Sequence, residues 1–177
     1  MYKRQGHYYN PNIPSEEIFT TPRAGDADGI VYATKPLSYQ GQLIENFSVR
    51  FENGKVVEVK AEKNQELLEK MVSMDEGAAM LGECALIAYD SPINNLGILF
   101  YNTLFDENAS CHLALGRGFS NCVRGYEDMT NEQLKEHGIN DSMIHVDFMI
   151  GSKDLSITGI TAKGERVAIF KDGNWAF

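Results

Sequence analysis

The chain has 177 residues, 43% of them hydrophobic, and a formal net charge of −9. That length suits one domain with a packed core rather than two, and the acidic balance excludes a nucleic-acid groove or an anionic membrane surface as partner, because both reward clustered Lys and Arg. No apolar run approaches the roughly 18 residues of a membrane span, the N-terminus lacks the apolar region of a signal peptide, and three cysteines without paired spacing (Cys84, Cys111, Cys122) predict reduced thiols in a cytoplasmic protein.

Residues 1–29 are rich in Pro, Gly, Asn and Tyr, and "PNIPSEEIFTTP" lies between prolines that forbid a long helix, so this stretch reads as a loop or short edge strand. "GIVYATKPL", "GQLIENFSVRFENGKVVEVKAEK" and "LSITGITAKGERVAIFKDGNWAF" alternate apolar and polar residues around "ENGK", "KGE" and "KDGN", which predicts antiparallel strands joined by tight hairpins. "NQELLEKMVSM" has helical spacing with Asn64 as its cap, and "TNEQLKEHG" repeats the pattern up to Gly138. "CALIAY" and "LGILFYNTLF" bracket "DSPINN" and are compatible with buried strand or helix.

Acids and imidazoles recur inside or beside apolar stretches: Glu83 in "MLGECALIAY", Glu107 and His112 in "FDENASCHLALG", and His145 with Asp147 in "SMIHVDFMIGS". Each has a plain structural reading. Glu83 would be a solvent-facing strand end, Glu107 a turn acid and His112 a satisfied core histidine. The pair at 145 and 147 is harder to dismiss, because side chains at i and i+2 of a strand leave by the same face, and two buried polar groups would then have only each other. Burying carboxylates costs several kcal/mol apiece unless a cation compensates them. Together with one glutamate of "SEE", the set mixes hard oxygen donors with imidazole, as zinc, cobalt and manganese prefer, and suits one ion or two. Other nucleophiles fit less well: Cys111 and His112 point to opposite faces of an extended chain, and no GxSxG elbow or phosphate-binding loop is present, while His7 and His137 lie in polar surroundings.

"NIPSEEIFTTP", "TKPL", "GECALI", "NTLFDENASCHLALG" and "IHVDFMIGS", in this order and at these intervals, resemble the carboxyl-terminal region of the M29 metallo-aminopeptidases, the aminopeptidase T and aminopeptidase S type. The resemblance covers residues 10–177 and leaves 1–9 as a tail outside it. It implies an α+β fold, an antiparallel and mixed curled sheet with flanking helices, as the C-terminal metal-binding part of a two-domain enzyme. It implies two divalent ions (zinc, cobalt or magnesium, with manganese compatible) held by Glu17, Glu83, Glu107, His112, His145 and Asp147. Glu83 bridges them, Glu17 is chosen over Glu16 by its spacing to Glu83, and Glu16 is left as the acid or base. The implied activity is removal of N-terminal residues from peptides with a free amine, by attack of a metal-bound hydroxide, in a homodimer.

Two departures accompany it. Phe119 stands where the family usually has a tyrosine near the metals, and the amino-terminal domain is absent, so the expectation is a truncated reading frame. The alternatives are a non-catalytic metal-binding domain without a productive substrate cleft, and a β-rich interaction module whose acids are solvated.

Overall fold

In the computed structural model, which describes residues 17–177, hairpins form where turn chemistry predicts them. Asn53 and Gly54 of "ENGK" both take positive φ, 51° and 77°, the two-residue geometry whose twist matches antiparallel strands. Only glycine fits the second position, since a Cβ there would stand 2.2 Å from the Cα of Gly25.

The chain opens with a short edge strand, β1 (Ile18–Thr20), followed by β2 (Gly29–Tyr32), β3 (Leu37–Tyr39), β4 (Gln42–Glu52), β5 (Lys55–Lys63) and helix α1 (Gln65–Val72). Strands β2 to β5 form one antiparallel sheet built on the long β4, which pairs with β2, β3 and β5. Leu68 and Met71, three apart on α1, bury against it. Asn64 precedes this helix but does not cap it: it is left-handed, and its side-chain amide donates to the Leu43 carbonyl at 2.6 Å, tying helix to sheet.

Next come β6 (Leu81–Leu86), α2 (Pro92–Asn95), α3 (Thr103–Asp106), β7 (His112–Gly116), α4 (Asn131–Glu136) and β8 (His145–Met149). The first half of "CALIAY" is thus strand, whereas "LGILFYNTLF" runs without regular structure into α3. Helix α4 opens with a full capping box between Thr130 and Gln133. A second antiparallel sheet has the order β1-β6-β7-β8, and β9 (Ile157–Ile160), β10 (Arg166–Lys171) and β11 (Asn174–Trp175) make a third.

The fold is therefore α+β, with few helices and antiparallel sheets. Its core lies between the first two sheets, where Phe47, Val49 and Phe51 of β4 meet Leu113 and Leu115 of β7 and Val146 and Phe148 of β8. The rings of Phe47 and Phe148 are 5.7 Å apart. Alternation then sends the other residues of β7 and β8, including His112, His145 and Asp147, to the opposite face of the second sheet.

Candidate metal centre

An irregularity in β6 brings the remaining strand acid to that face. Leu81 pairs with Leu115, and Glu83 pairs with Ala114, so β6 spends two residues where β7 spends one. Leu81 and Cys84, an odd number of positions apart, both pack on the core. Glu83 therefore faces the other way, beside His112 and Asp147. A β-bulge with Gly82 as its extra residue performs this turn. A Cβ on Gly82 would lie 2.3 Å from the Arg117 carbonyl oxygen and 2.5 Å from that of Gly116.

Five of the six predicted donors form two overlapping triads among the described residues: Glu17, Glu83 and His112, and Glu83, His145 and Asp147. Within each triad the donor atoms lie within 4.8 Å of one another. His112 Nε2 is 3.6 Å from Glu17 Oε2, and His145 Nε2 is 3.1 Å from Glu83 Oε2 and 3.4 Å from Asp147 Oδ1. All but His145 are nearly sealed from solvent, the side chains of Glu17 and His112 being 2% and 1% exposed. Glu107 joins neither triad but lines the same cavity and hydrogen-bonds with Asp147. Glu16, the expected acid or base, lies outside the described residues.

Backbone carbonyls orient both rings. His112 Nδ1 is 3.2 Å from the Ser110 oxygen and His145 Nδ1 is 2.7 Å from the Arg117 oxygen. A carbonyl only accepts, so Nδ1 carries the proton and Nε2 is the nitrogen aimed at the acids. The Arg117 carbonyl that positions His145 is also one that leaves no room for a side chain at 82.

The crowding of acids perturbs their protonation. Burial would lower the His145 pKa, but the adjoining Asp147 and Glu83 carboxylates overcome it and raise the value to about 10. Glu107 is pushed up to about 9, first by burial and then by Asp147. Glu83 is raised by burial, partly offset by His145. Asp147, despite burial, is held low by His145. Among the described residues, no hydrogen-bond donor is aligned on its buried Oδ1. A buried carboxylate oxygen without a donor, among oxygen and imidazole donors, is a good fit to a divalent cation.

The thiols take no part. All three cysteines are free, burial raises Cys84 and sends Cys111 up to about 11, and the Cys111 thiol points to the Ile87 carbonyl. His137 is exposed, and His7 lies outside the described residues. Sequence reading missed Gly82, a glycine that looked like ordinary strand punctuation. It also missed the apolar part of the cavity lining, where Phe19, Tyr39 and Leu104 join Phe119. For Phe19 a signal existed, since it stands at i+2 from Glu17.

The sequence matches a family model described as thermophilic metalloprotease (M29) over residues 1–175. It is 55% identical over 172 residues to Aminopeptidase AmpS of Bacillus subtilis (strain 168) and 48% identical over 174 residues to Aminopeptidase 2 of Geobacillus stearothermophilus. These alignments cover 97% and 98% of this chain and 42% of each relative. The fold superposes on the solved structure described as wild-type AmpT from Thermus thermophilus, with a TM-score of 0.92 and 40% identity, covering 100% of this chain and 43% of that one. The chain thus spans well under half the length of the relatives it matches.

Proposed function

The chain belongs to the thermophilic metalloprotease family M29, and from that premise we propose that its buried acids and histidines form a two-ion centre for hydrolysing the first peptide bond of peptides with a free N-terminus. The observation that carries this is the sharing of Glu83 between two buried triads. Four carboxylates (Glu17, Glu83, Glu107, Asp147) against two imidazoles leave a charge of −2 even with both rings protonated. Two divalent ions with neutral rings bring the set to zero, which relieves the cost of burying it.

In this reading Glu17 and His112 would hold one ion and His145 and Asp147 the other, with Glu83 shared between them and Glu107 adding a donor from the loop side. When bound, the ions would supply Lewis acidity and lower the pKa of bound water. The chain's own contribution is position. Carbonyls of Ser110 and Arg117 hold the rings in the ligating tautomer. A sheet buried on its other face fixes the donors, and Phe119, with its ring 4.8 Å from that of His145, keeps water from one side. Glu16, adjoining Glu17, is the proposed group that carries the proton to the leaving amine. The names of the relatives support an aminopeptidase, free cysteines support the cytoplasm, and the reading extends to a homodimer as the family resemblance implies.

A second reading has its own observation. Leu96, Ile98, Tyr101, Leu104 and Phe105, in the segment that brings Leu104 to the cavity, are all 43% or more exposed, as expected if the longer relatives cover this surface and the present chain binds metal without completing a cleft. Metal content after dialysis, and cobalt-supported hydrolysis of leucine p-nitroanilide by the chain and by Glu83→Ala, separate the two. Activity lost in the variant supports the enzyme, bound metal without activity supports the binding domain, and no metal rejects both.

A further inference from the structure

Residues 116–118, "GRG", lead out of β7, and the Arg117 carbonyl among them orients His145. A carbonyl aims a ring only as firmly as its own peptide plane is held. That plane carries the Arg117 oxygen at one end and the Gly118 N–H at the other, and the Gly118 N–H donates to the Asn140 carbonyl at 2.9 Å. The preceding plane is also held at both ends. Its Arg117 N–H donates to the Ile144 carbonyl at 2.7 Å, and its Gly116 carbonyl accepts from the Asn140 side-chain amide at 2.6 Å.

Asn140 therefore grips both planes, one with its backbone and one with its side chain. It is 5% exposed, and its amide also donates to the Gly77 carbonyl at 2.8 Å, in the short turn that precedes β6. Both partners are carbonyls, which only accept, so the amide nitrogen must face them. The segments it joins are closely fitted: a Cβ at 116 would stand 2.1 Å from the Ile144 carbonyl oxygen, and one at 77 would stand 2.0 Å from that of Asp141. One buried amide thus ties the turn before β6, the exit from β7 and the entry to β8, the three strands that carry Glu83, His112, His145 and Asp147.

We propose that Asn140 is a positioning residue of the metal centre: its amide fixes the backbone of 116–118 and, through the Arg117 carbonyl, holds the Nδ1–H of His145 and the aim of its Nε2. The proposal rests on the metal-centre reading above. His112 lies outside this relay, because its Nδ1 is served by the Ser110 carbonyl. Loss of the amide should therefore disturb one ring and spare the other, whereas a residue with a merely structural role would disturb both or neither.

The test compares Asn140→Ser and Asn140→Asp, the second of which keeps the shape but replaces the donors by an acceptor, with Leu68→Ala, a core change on α1. Each chain is isotopically labelled, loaded with zinc and read by NMR for the imidazole Nδ1–H signals, the His145 signal being assigned by its loss in His145→Ala. In the Asn140 variants that proton should exchange with water at least tenfold faster, and one of two zinc ions should bind about tenfold more weakly, while the His112 signal stays in place. Leu68→Ala should leave both signals where they are. An unmoved His145 signal in either folded variant, equal changes at both rings, or the same changes in Leu68→Ala would overturn the proposal. So would failure of both Asn140 variants to fold, since the residue would then support the whole molecule rather than one ring. Zinc that does not bind the unaltered chain would reject the metal-centre reading itself, and this proposal with it.

Discussion

Glu83 supplies an oxygen to both triads, whereas His112 and His145 each serve one. Equilibrium dialysis with zinc should therefore give about two ions for the unaltered chain, about one for His112→Ala or His145→Ala, and close to none for Glu83→Ala. One ion retained by Glu83→Ala would remove its bridging role. A different acid works away from the site. Asp75 accepts the Met143 N–H at 2.7 Å and the Ser142 hydroxyl at 2.9 Å, fastening the segment that leads into β8. The Met143 N–H is the main cause that holds its pKa below 3.8. A depressed carboxylate stabilises the fold above its unfolded value, and that contribution is lost as pH falls through the folded one. Asp75→Asn should cost about 1 kcal/mol at neutral pH, and the gap to the parent should close as pH is lowered from about 6 to 2 in thermal unfolding. At this scale the sequence was informative where chemistry is local. His145 and Asp147 share a face because strand geometry puts i and i+2 there, and their donor atoms are 3.4 Å apart. Glu107 read as a turn acid because its contact with Asp147, 40 positions away, is encoded by no local pattern.

Among elements, the bulge in β6 is the most consequential. Gly82→Ala must push the Arg117 carbonyl away, and that carbonyl accepts from His145. The variant should lose about 1–3 kcal/mol of stability and bind zinc at least tenfold more weakly. Gly159→Ala is the control, since its Cβ would meet nothing nearer than the Ile169 side chain, at 3.4 Å; equal behaviour of the two in thermal unfolding and zinc titration would refute the positional argument. Hairpins and the two longer helices were legible, because Asn-Gly and Asp-Gly turns, the Gly138 stop and apolar periodicity act within a few residues, although Asn64 does not serve as the cap expected of it. The bulge was not, because a glycine inside an apolar run looks the same in a regular strand. Nor was the irregular path of "LGILFYNTLF", whose turn at 100–102 is fixed by the side chain of Asp106 rather than by propensity.

On the scale of the molecule, the proposed donors come from positions 17 to 147, so the cluster exists only when β1, β6, β7 and β8 are joined. Whatever binds the cluster then stabilises the whole sheet. Zinc or cobalt at about 100 times its dissociation constant should raise the unfolding midpoint by roughly 5–10 °C, and a chelator should reverse it. A midpoint indifferent to metal would mean that protons alone neutralise the acids. The α+β class followed from alternation, turns and short helices. Strand order did not, since pairing across a hundred residues is decided by which faces fit in three dimensions. The third sheet, β9 to β11, was visible as hairpins, but its separation from the other two was not.

The two-for-one pairing at Gly82 also bears on how such a site can arise or be lost. Substitution changes what a strand carries, but it cannot exchange the strand's two sides; only gaining or losing a residue does that. Inserting a single codon between Glu83 and Cys84, with Cys84 held on the core, would give the site face to the new residue and turn the carboxylate at 83 toward the core that holds Phe47 and Phe148. A change of three nucleotides would convert the shared donor into an unpaired charge in the core. In this strand, reading-frame length matters as much as residue identity, and variant libraries built only from substitutions would never sample the alternative.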